Sequence, residues 1–107
     1  MTKISIMYPN TKNATFDMNY YLKIHMPMSI ELLTASPGCR GVSAERGLGD
    51  GTPGSEPAYV ALCHYLFNSL EDFLAAFSPH SAFLQSDIAN YTDIKPLIQV
   101  SAVEIMR

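Results

Sequence analysis

Two side chains that can handle protons lie four residues apart near the start of the chain. They are Tyr21 and His25, within the segment Phe16–Met28. Residues four apart stack over one another on a helix, so Asp17, Tyr21 and His25 would form one ridge. Pro27 disfavours helical geometry in the residue before it, which predicts that His25 lies in the last turn of the helix. There the carbonyl end of the helix would favour the imidazolium.

This ridge has two interpretations. Histidine changes its charge most readily near neutral pH, and a phenol within reach could orient a proton or a substrate oxygen. Alternatively, His25 is only a partner of the helix dipole, and Tyr21 is a core residue whose hydroxyl is hydrogen-bonded. Both interpretations remain open from the sequence.

Length and charge exclude several classes of protein. A chain of 107 residues forms one domain, residues 1–107, without room for a second core. Its net charge of -3, with only 7 Lys and Arg, gives no basic cluster of the kind that nucleic-acid binding requires. No apolar run reaches the length of a membrane span, and the chain begins with a strand pattern instead of a leader sequence. We therefore expect a cytoplasmic protein that binds neither nucleic acid nor membrane.

The sequence offers no pattern typical of a metal site or a redox centre. Cys39 and Cys63 each stand without a neighbouring cysteine, so we expect reduced thiols. Metal binding by His25 and His64 would need a third ligand, and the spacing groups no carboxylate with them. Haem would need an axial histidine in a roomy apolar pocket, which the composition allows but does not demand. We expect neither a metal nor a cofactor.

The elements that must position these residues begin with a strand over Lys3–Tyr8, where polar and apolar residues alternate. Thr15 can cap the first helix, and Pro27 is suited to the first position of a shorter helical piece that follows. Arg40–Arg46 predicts a second strand. The Gly- and Pro-rich segment Gly47–Pro57 predicts the loop of a hairpin.

The second half of the chain repeats this order. Tyr59–Phe67 is the strongest strand, and Ser69 with Asp72 predicts a capping box at the start of the second helix. A second helical piece runs through Ile88, and Pro96–Met106 predicts the closing strand. Strand, helix, strand, strand, helix, strand is the order of a ferredoxin-like α+β domain, a four-stranded antiparallel sheet with both helices on one face.

The face of this sheet away from the helices would be largely apolar. The third strand is apolar on both sides except at His64, and the predicted last strand also carries apolar residues on both sides. A lone subunit would expose that surface to water. We therefore expect a homodimer in which two sheets pair to form a dimeric α/β barrel.

The segment Phe16–Met28 resembles the signature of the EthD family, in which a Tyr, three further residues and then His-x-Pro-Leu or His-x-Pro-Met end the first helix. Phe67–Phe73 is similar to the end of a strand and the start of a helix in that family. Asp87–Thr92, followed by Gln99–Val100, is similar to its C-terminal segment. The resemblance spans nearly the whole chain.

The resemblance implies the dimeric α/β barrel fold and a role in small-molecule catabolism. The family takes its name from a gene found beside a haem monooxygenase system that degrades ethyl tert-butyl ether. Similar folds carry monooxygenases, isomerases and dehydratases, so the fold alone selects no reaction. This chain has Met28 where Leu is usual and Asn68 where Asp is frequent, and neither change alters the expected fold.

The resemblance also implies where a site would lie. His25 and Tyr21 would be catalytic residues at the mouth of a pocket between the helices and the sheet. Tyr20, His64 and Tyr91 would bind the substrate. The position of His64 on an apolar strand also fits a structural, hydrogen-bonded histidine.

Three functions compete. The first is a cofactor-free enzyme that acts on an ether, aromatic compound or ketone, in which His25 transfers a proton as in an isomerase, dehydratase or monooxygenase-like reaction. The second is an accessory protein that holds a hydrophobic small molecule for a separate haem monooxygenase. The third is a structural dimer with a vestigial pocket.

Overall fold

The structure is a computed structural model that describes residues 1–107. Four strands form one sheet: β1 (Thr2–Pro9), β2 (Cys39–Arg46), β3 (Tyr59–Phe67) and β4 (Leu97–Ala102). The first helix, which we call α1, consists of α-helical Met18–Tyr20, π-helical Tyr21–His25 and α-helical Met26–Thr34. Helices α2 (Leu70–Phe77) and α3 (Ser81–Asp87) follow β3, separated by a 3₁₀ turn at Ser78–His80, and a second 3₁₀ turn at Ile88–Asn90 follows α3.

The sheet has the order β2-β3-β1-β4, and every neighbouring pair of strands is antiparallel. This confirms the ferredoxin-like α+β fold predicted from the sequence. Along β3, the side chains of Ala61, Cys63, Tyr65 and Phe67 are buried and alternate with half-buried ones. The core therefore lies on one face of the sheet, under the helices.

Asp17, and not the predicted Thr15, caps helix α1. The Asp17 side chain accepts a hydrogen bond from the backbone N–H of Tyr20 at 3.1 Å. Thr15 lies before the helix, where its N–H donates to Asp93 and its carbonyl accepts from the Thr92 hydroxyl. The helix can begin only after this short bridge to the C-terminal segment. The predicted cap at Ser69 is confirmed, since its hydroxyl accepts from the N–H of Asp72 at 3.1 Å.

Pro27 does not end the first helix, so the prediction that His25 lies in a last turn is wrong. The backbone N–H of Met26 donates to the carbonyl of Tyr21, five residues back, which is a π-helical bond. In a regular α-helix the Pro27 ring would clash with the carbonyl four residues earlier, and a wider turn relieves such clashes. His25 therefore lies inside a continuous helix, beyond the reach of the terminal dipole.

The closing strand is shorter than predicted and ends at Ala102 rather than Met106. Strand β4 pairs only with β1, and Ala102 lies opposite Thr2, the first residue of β1. The N–H of Val103 donates to the carbonyl of Met1, and residues 104–107 belong to no strand. Ile105 and Met106 are exposed as a result.

Candidate functional site

A buried histidine and a buried carboxylate meet between the helices. His25 Nδ1 lies 2.9 Å from Asp87 Oδ2. His25 comes from the π turn of α1 and Asp87 from the end of α3, and the two residues are only 7% and 9% exposed. An ion pair or hydrogen bond at such a buried position is stronger than one at the surface.

The Asp87 carboxylate accepts two further hydrogen bonds. The Tyr20 hydroxyl donates to its Oδ1 at 2.7 Å, and the Asn90 side-chain amide donates to the same oxygen at 2.9 Å. Burial alone would raise the pKa of the Asp87 carboxyl, but the hydrogen bonds from Tyr20, His25 and Asn90 outweigh it and lower that pKa. Asp87 is therefore an anion at neutral pH.

An ionised carboxylate can only accept, so Nδ1 of His25 must carry the proton of the bond to Asp87. The other ring nitrogen, Nε2, has no hydrogen-bond partner in the protein, and it is not sealed from solvent. In neutral His25 this nitrogen holds a free lone pair. Asp87 thus fixes the tautomer that can accept a proton from a bound molecule.

His25 lines a cavity of about 90 Å³ between the helices and the sheet. Ten of its 14 lining residues are hydrophobic, and none is Lys, Arg, Asp or Glu. At the edge of the sheet its wall includes Ile98, which is 62% exposed. The space admits several water molecules or a small organic group in contact with His25.

Tyrosine rings hold the imidazole of His25 in place. Tyr91 packs against it with ring centroids 4.7 Å apart, and Tyr21 stacks on it at 6.1 Å. The hydroxyls of Tyr91 and Tyr8 are bonded to each other at 2.5 Å. Burial raises the pKa of Tyr8 to about 12 and also raises that of Tyr91, so both hydroxyls stay protonated.

The structure brings four of the five predicted site residues together. Tyr20 bonds Asp87, and Tyr91 and Tyr21 contact the His25 ring. The Tyr21 hydroxyl, however, donates to the carbonyl of Leu62 at 3.4 Å, and Tyr21 is fully buried and does not line the cavity. The Tyr21 hydroxyl therefore cannot contact a molecule in this cavity directly, as its predicted catalytic role would require.

His64 is the residue that the structure separates from the others. It lies on the face of the sheet away from the helices, opposite Ser5 on β1. Its Nδ1 is 2.8 Å from the Ser5 hydroxyl, and its Nε2 is 3.5 Å from a Glu45 carboxylate oxygen. This is the hydrogen-bonded, structural position that the sequence left open as the alternative.

Three residues of the site were not predicted. Asp87 was named only as part of a C-terminal resemblance, although its bond to His25 organises the site. Ser29 and Tyr65 also line the cavity, and their hydroxyls are bonded to each other. Ser29 follows His25 by one helical turn, so its spacing was a usable signal.

No group of three or more His, Cys, Asp or Glu side chains is arranged to hold a metal ion. No helix has both the length and the apolar character of a membrane span.

The fold and this site define a class of protein, a ferredoxin-like α+β domain with a histidine–carboxylate pair beside an apolar cavity. The model of the EthD domain matches residues 9–95 of the chain. The chain belongs to the EthD family, which confirms the resemblance found in its sequence.

Solved structures agree with this assignment. An EthD-like protein from Ralstonia eutropha is 42% identical, with a TM-score of 0.89 over 99% of this chain and 94% of that one. An EthD family protein from Bacillus halodurans, 15% identical, has a TM-score of 0.64 over 96% of this chain and 98% of that one. SnoaB from Streptomyces nogalater, a cofactor-independent oxygenase, is 9% identical and has a TM-score of 0.61 over 98% of this chain and 93% of that one, which is a likeness of fold alone. No curated protein matches the chain.

Proposed function

We propose that this EthD-family protein is a cofactor-free enzyme that transfers protons on small, largely apolar molecules in a catabolic reaction, with His25 as its acid–base group. One observation carries this proposal: Asp87 binds Nδ1 of His25 and leaves Nε2 without a partner, in a residue that lines an apolar cavity. A general base must lie within hydrogen-bond reach of the proton that it removes, and the cavity wall provides that position.

The chemistry follows from the tautomer. Nε2 would take a proton from a carbon next to a carbonyl group, which leaves an enolate and an imidazolium paired with Asp87. Return of that proton to a different carbon completes an isomerisation, and its transfer to a departing hydroxyl completes a dehydration. Tyr91 and Tyr21 would keep the ring in position, and substrate contacts of Tyr20 and Tyr91 remain predictions. The predicted contact of His64 does not fit this cavity, because His64 lies on the other face of the sheet.

Proton exchange tests the proposal without knowledge of the natural substrate. Small apolar ketones such as 2-tetralone, incubated with the protein in D₂O, should exchange their α-protons faster than in buffer, as followed by ¹H NMR. Binding of these ketones without accelerated exchange would contradict the enzymatic proposal and favour the accessory protein that serves a haem monooxygenase.

We also propose a homodimer that pairs two sheets into a barrel. Val60, Leu62 and Leu66 lie on the face of β3 away from the helices, and Met7 and Leu97 share that face through the strand register. A second copy would cover this surface with an interface of at least the usual size, about 1,600 Å². The protein should therefore sediment as a dimer at micromolar concentration.

Leu62→Asp should convert the dimer into a monomer, because it places a charge at the centre of the apolar face and next to Glu45. Leu74→Asp is the matched control, since Leu74 is exposed on helix α2 and faces away from the sheet. A monomeric wild-type protein, or a Leu62→Asp variant that stays dimeric, would contradict the barrel.

The cysteines support a reducing compartment such as the cytoplasm. Cys39 and Cys63 are both unpaired. Burial raises the pKa of the Cys63 thiol to about 12, so it stays protonated and unreactive. Free thiols are usual in the cytosol, whereas disulfides form outside it.

A further inference from the structure

The cavity has a second polar feature besides His25, a pair of hydroxyls. Ser29 Oγ and Tyr65 Oη are hydrogen-bonded to each other. Both residues line the cavity, and they are only 2% and 3% exposed. Ser29 comes from helix α1 and Tyr65 from the central strand β3, so the pair connects the helix layer to the sheet.

One of the two hydroxyl hydrogens of this pair is not used in the bond between them. Each hydroxyl carries one hydrogen, and the bond between them uses one of the two. Apart from the neighbouring sulfur of Cys63, which is a weak acceptor, no protein group takes the second O–H. Burial raises the pKa of Tyr65, so this hydroxyl remains protonated. A buried donor without a strong acceptor is costly unless a bound molecule accepts its hydrogen bond.

The position of the pair relative to His25 suggests that acceptor. Ser29 is one helical turn beyond His25, and both side chains line the same cavity. A molecule that offers a C–H or O–H group to His25 can therefore present an oxygen to the hydroxyl pair.

We infer that the Ser29–Tyr65 hydroxyl pair donates a hydrogen bond to the oxygen of the bound substrate and stabilises the oxyanion that forms when His25 removes a proton; this role rests on the proposed function. Donors that are fixed in place before the reaction stabilise such charge most effectively. Because no Lys or Arg lines the cavity, the substrate class is an uncharged ketone, enol or phenol rather than a carboxylate or phosphate.

A coloured phenol tests this role by binding alone. 4-Nitrophenol absorbs at longer wavelength once it is ionised, so a spectrophotometric pH titration at saturating protein gives the pKa of the bound probe. Burial in the apolar cavity raises that pKa, and hydrogen bonds from the pair to the anion lower it, so the contribution of the pair is the difference between wild type and a variant without it. In the double variant Ser29→Ala/Tyr65→Phe the bound pKa should be higher than in wild type by about one unit, with about tenfold weaker binding of the phenolate.

Tyr59→Phe is the matched control, because it removes a tyrosine hydroxyl from the same strand β3 but not from the cavity wall, and leaves the pair intact. It should keep the bound pKa of the wild-type protein. Tyr65→Phe alone should give an intermediate value, which provides a second measurement if the double variant does not fold.

The other outcomes separate this role from the proposed function. An unchanged bound pKa in the double variant would overturn the role of the hydroxyl pair, while loss of proton exchange in His25→Ala would leave the proposed function standing. A bound pKa that shifts in His25→Ala but not in the double variant would assign the effect to the imidazolium and overturn the hydroxyl pair. Failure of the wild-type protein to bind 4-nitrophenol would count against both the role of the hydroxyl pair and the proposed function.

Discussion

Replacing His25 with alanine is expected to lower the rate of α-proton exchange by about two to four powers of ten, because a positioned general base contributes on that scale. Ketone binding should change little, since most of the cavity wall is apolar and the His25 ring forms only part of it. The measurement is the exchange rate of a bound ketone in D₂O by ¹H NMR, at saturating protein.

His80→Ala is the control for this variant. His80 ends a 3₁₀ turn and does not line the cavity, so its removal should leave exchange unchanged. A loss of less than threefold in His25→Ala would reduce His25 to a structural residue.

Asp87→Asn is expected to lower the same rate by about a hundredfold or more, through the tautomer of His25 rather than through any contact with substrate. Oδ1 of residue 87 accepts hydrogen bonds from Tyr20 and Asn90, so the oxygen of the new amide should keep that position. Its NH₂ group would then face Nδ1 of His25 and donate to it, which moves the ring proton to Nε2 and blocks the base. Conversion of another hydrogen-bonded carboxylate, Asp50→Asn in the β2–β3 loop, should have no such effect.

Acid stability provides a second readout of Asp87. Its pKa is lowered in the folded protein, so the ionised carboxylate stabilises the fold above the usual carboxyl pKa of about 4. That contribution is lost as the pH falls through the lowered pKa of the folded state. The stability difference between wild type and Asp87→Asn should therefore be largest near neutral pH and shrink in acid. A difference that does not vary with pH would mean that folding does not lower the pKa of Asp87.

Most of the fold could be predicted because the signals for its strands and helix caps lie in consecutive residues. Tyr59–Phe67 forms strand β3 with the predicted bounds, and the hydrogen bond at the Ser69 cap is local. The errors arose where a distant contact or a local exception decided the geometry. Pro27 was expected to break the helix, and a π turn accommodates it.

Only the part of the candidate site that lies in one local segment of the sequence could be predicted. His25 was identified from a local motif, but its partner Asp87 is 62 residues away, and only the packing of α3 against α1 brings the two together. The separation of His64 follows from strand parity: residues 63 and 65 face the helices, so residue 64 must face away. The sequence shows that His64 faces away from Cys63 and Tyr65, but it does not show which of the two faces the helices cover.

The most direct test of the central claim is to find which nitrogen of His25 carries the proton. Long-range ¹H–¹⁵N NMR spectra of the histidine-labelled protein distinguish the two tautomers. We expect neutral His25 to be protonated on Nδ1, toward Asp87, with an unprotonated Nε2 whose resonance shifts when 4-nitrophenol binds. A proton on Nε2 in the neutral ring, or an Nε2 resonance that the bound probe does not change, would contradict the assignment of His25 as the base.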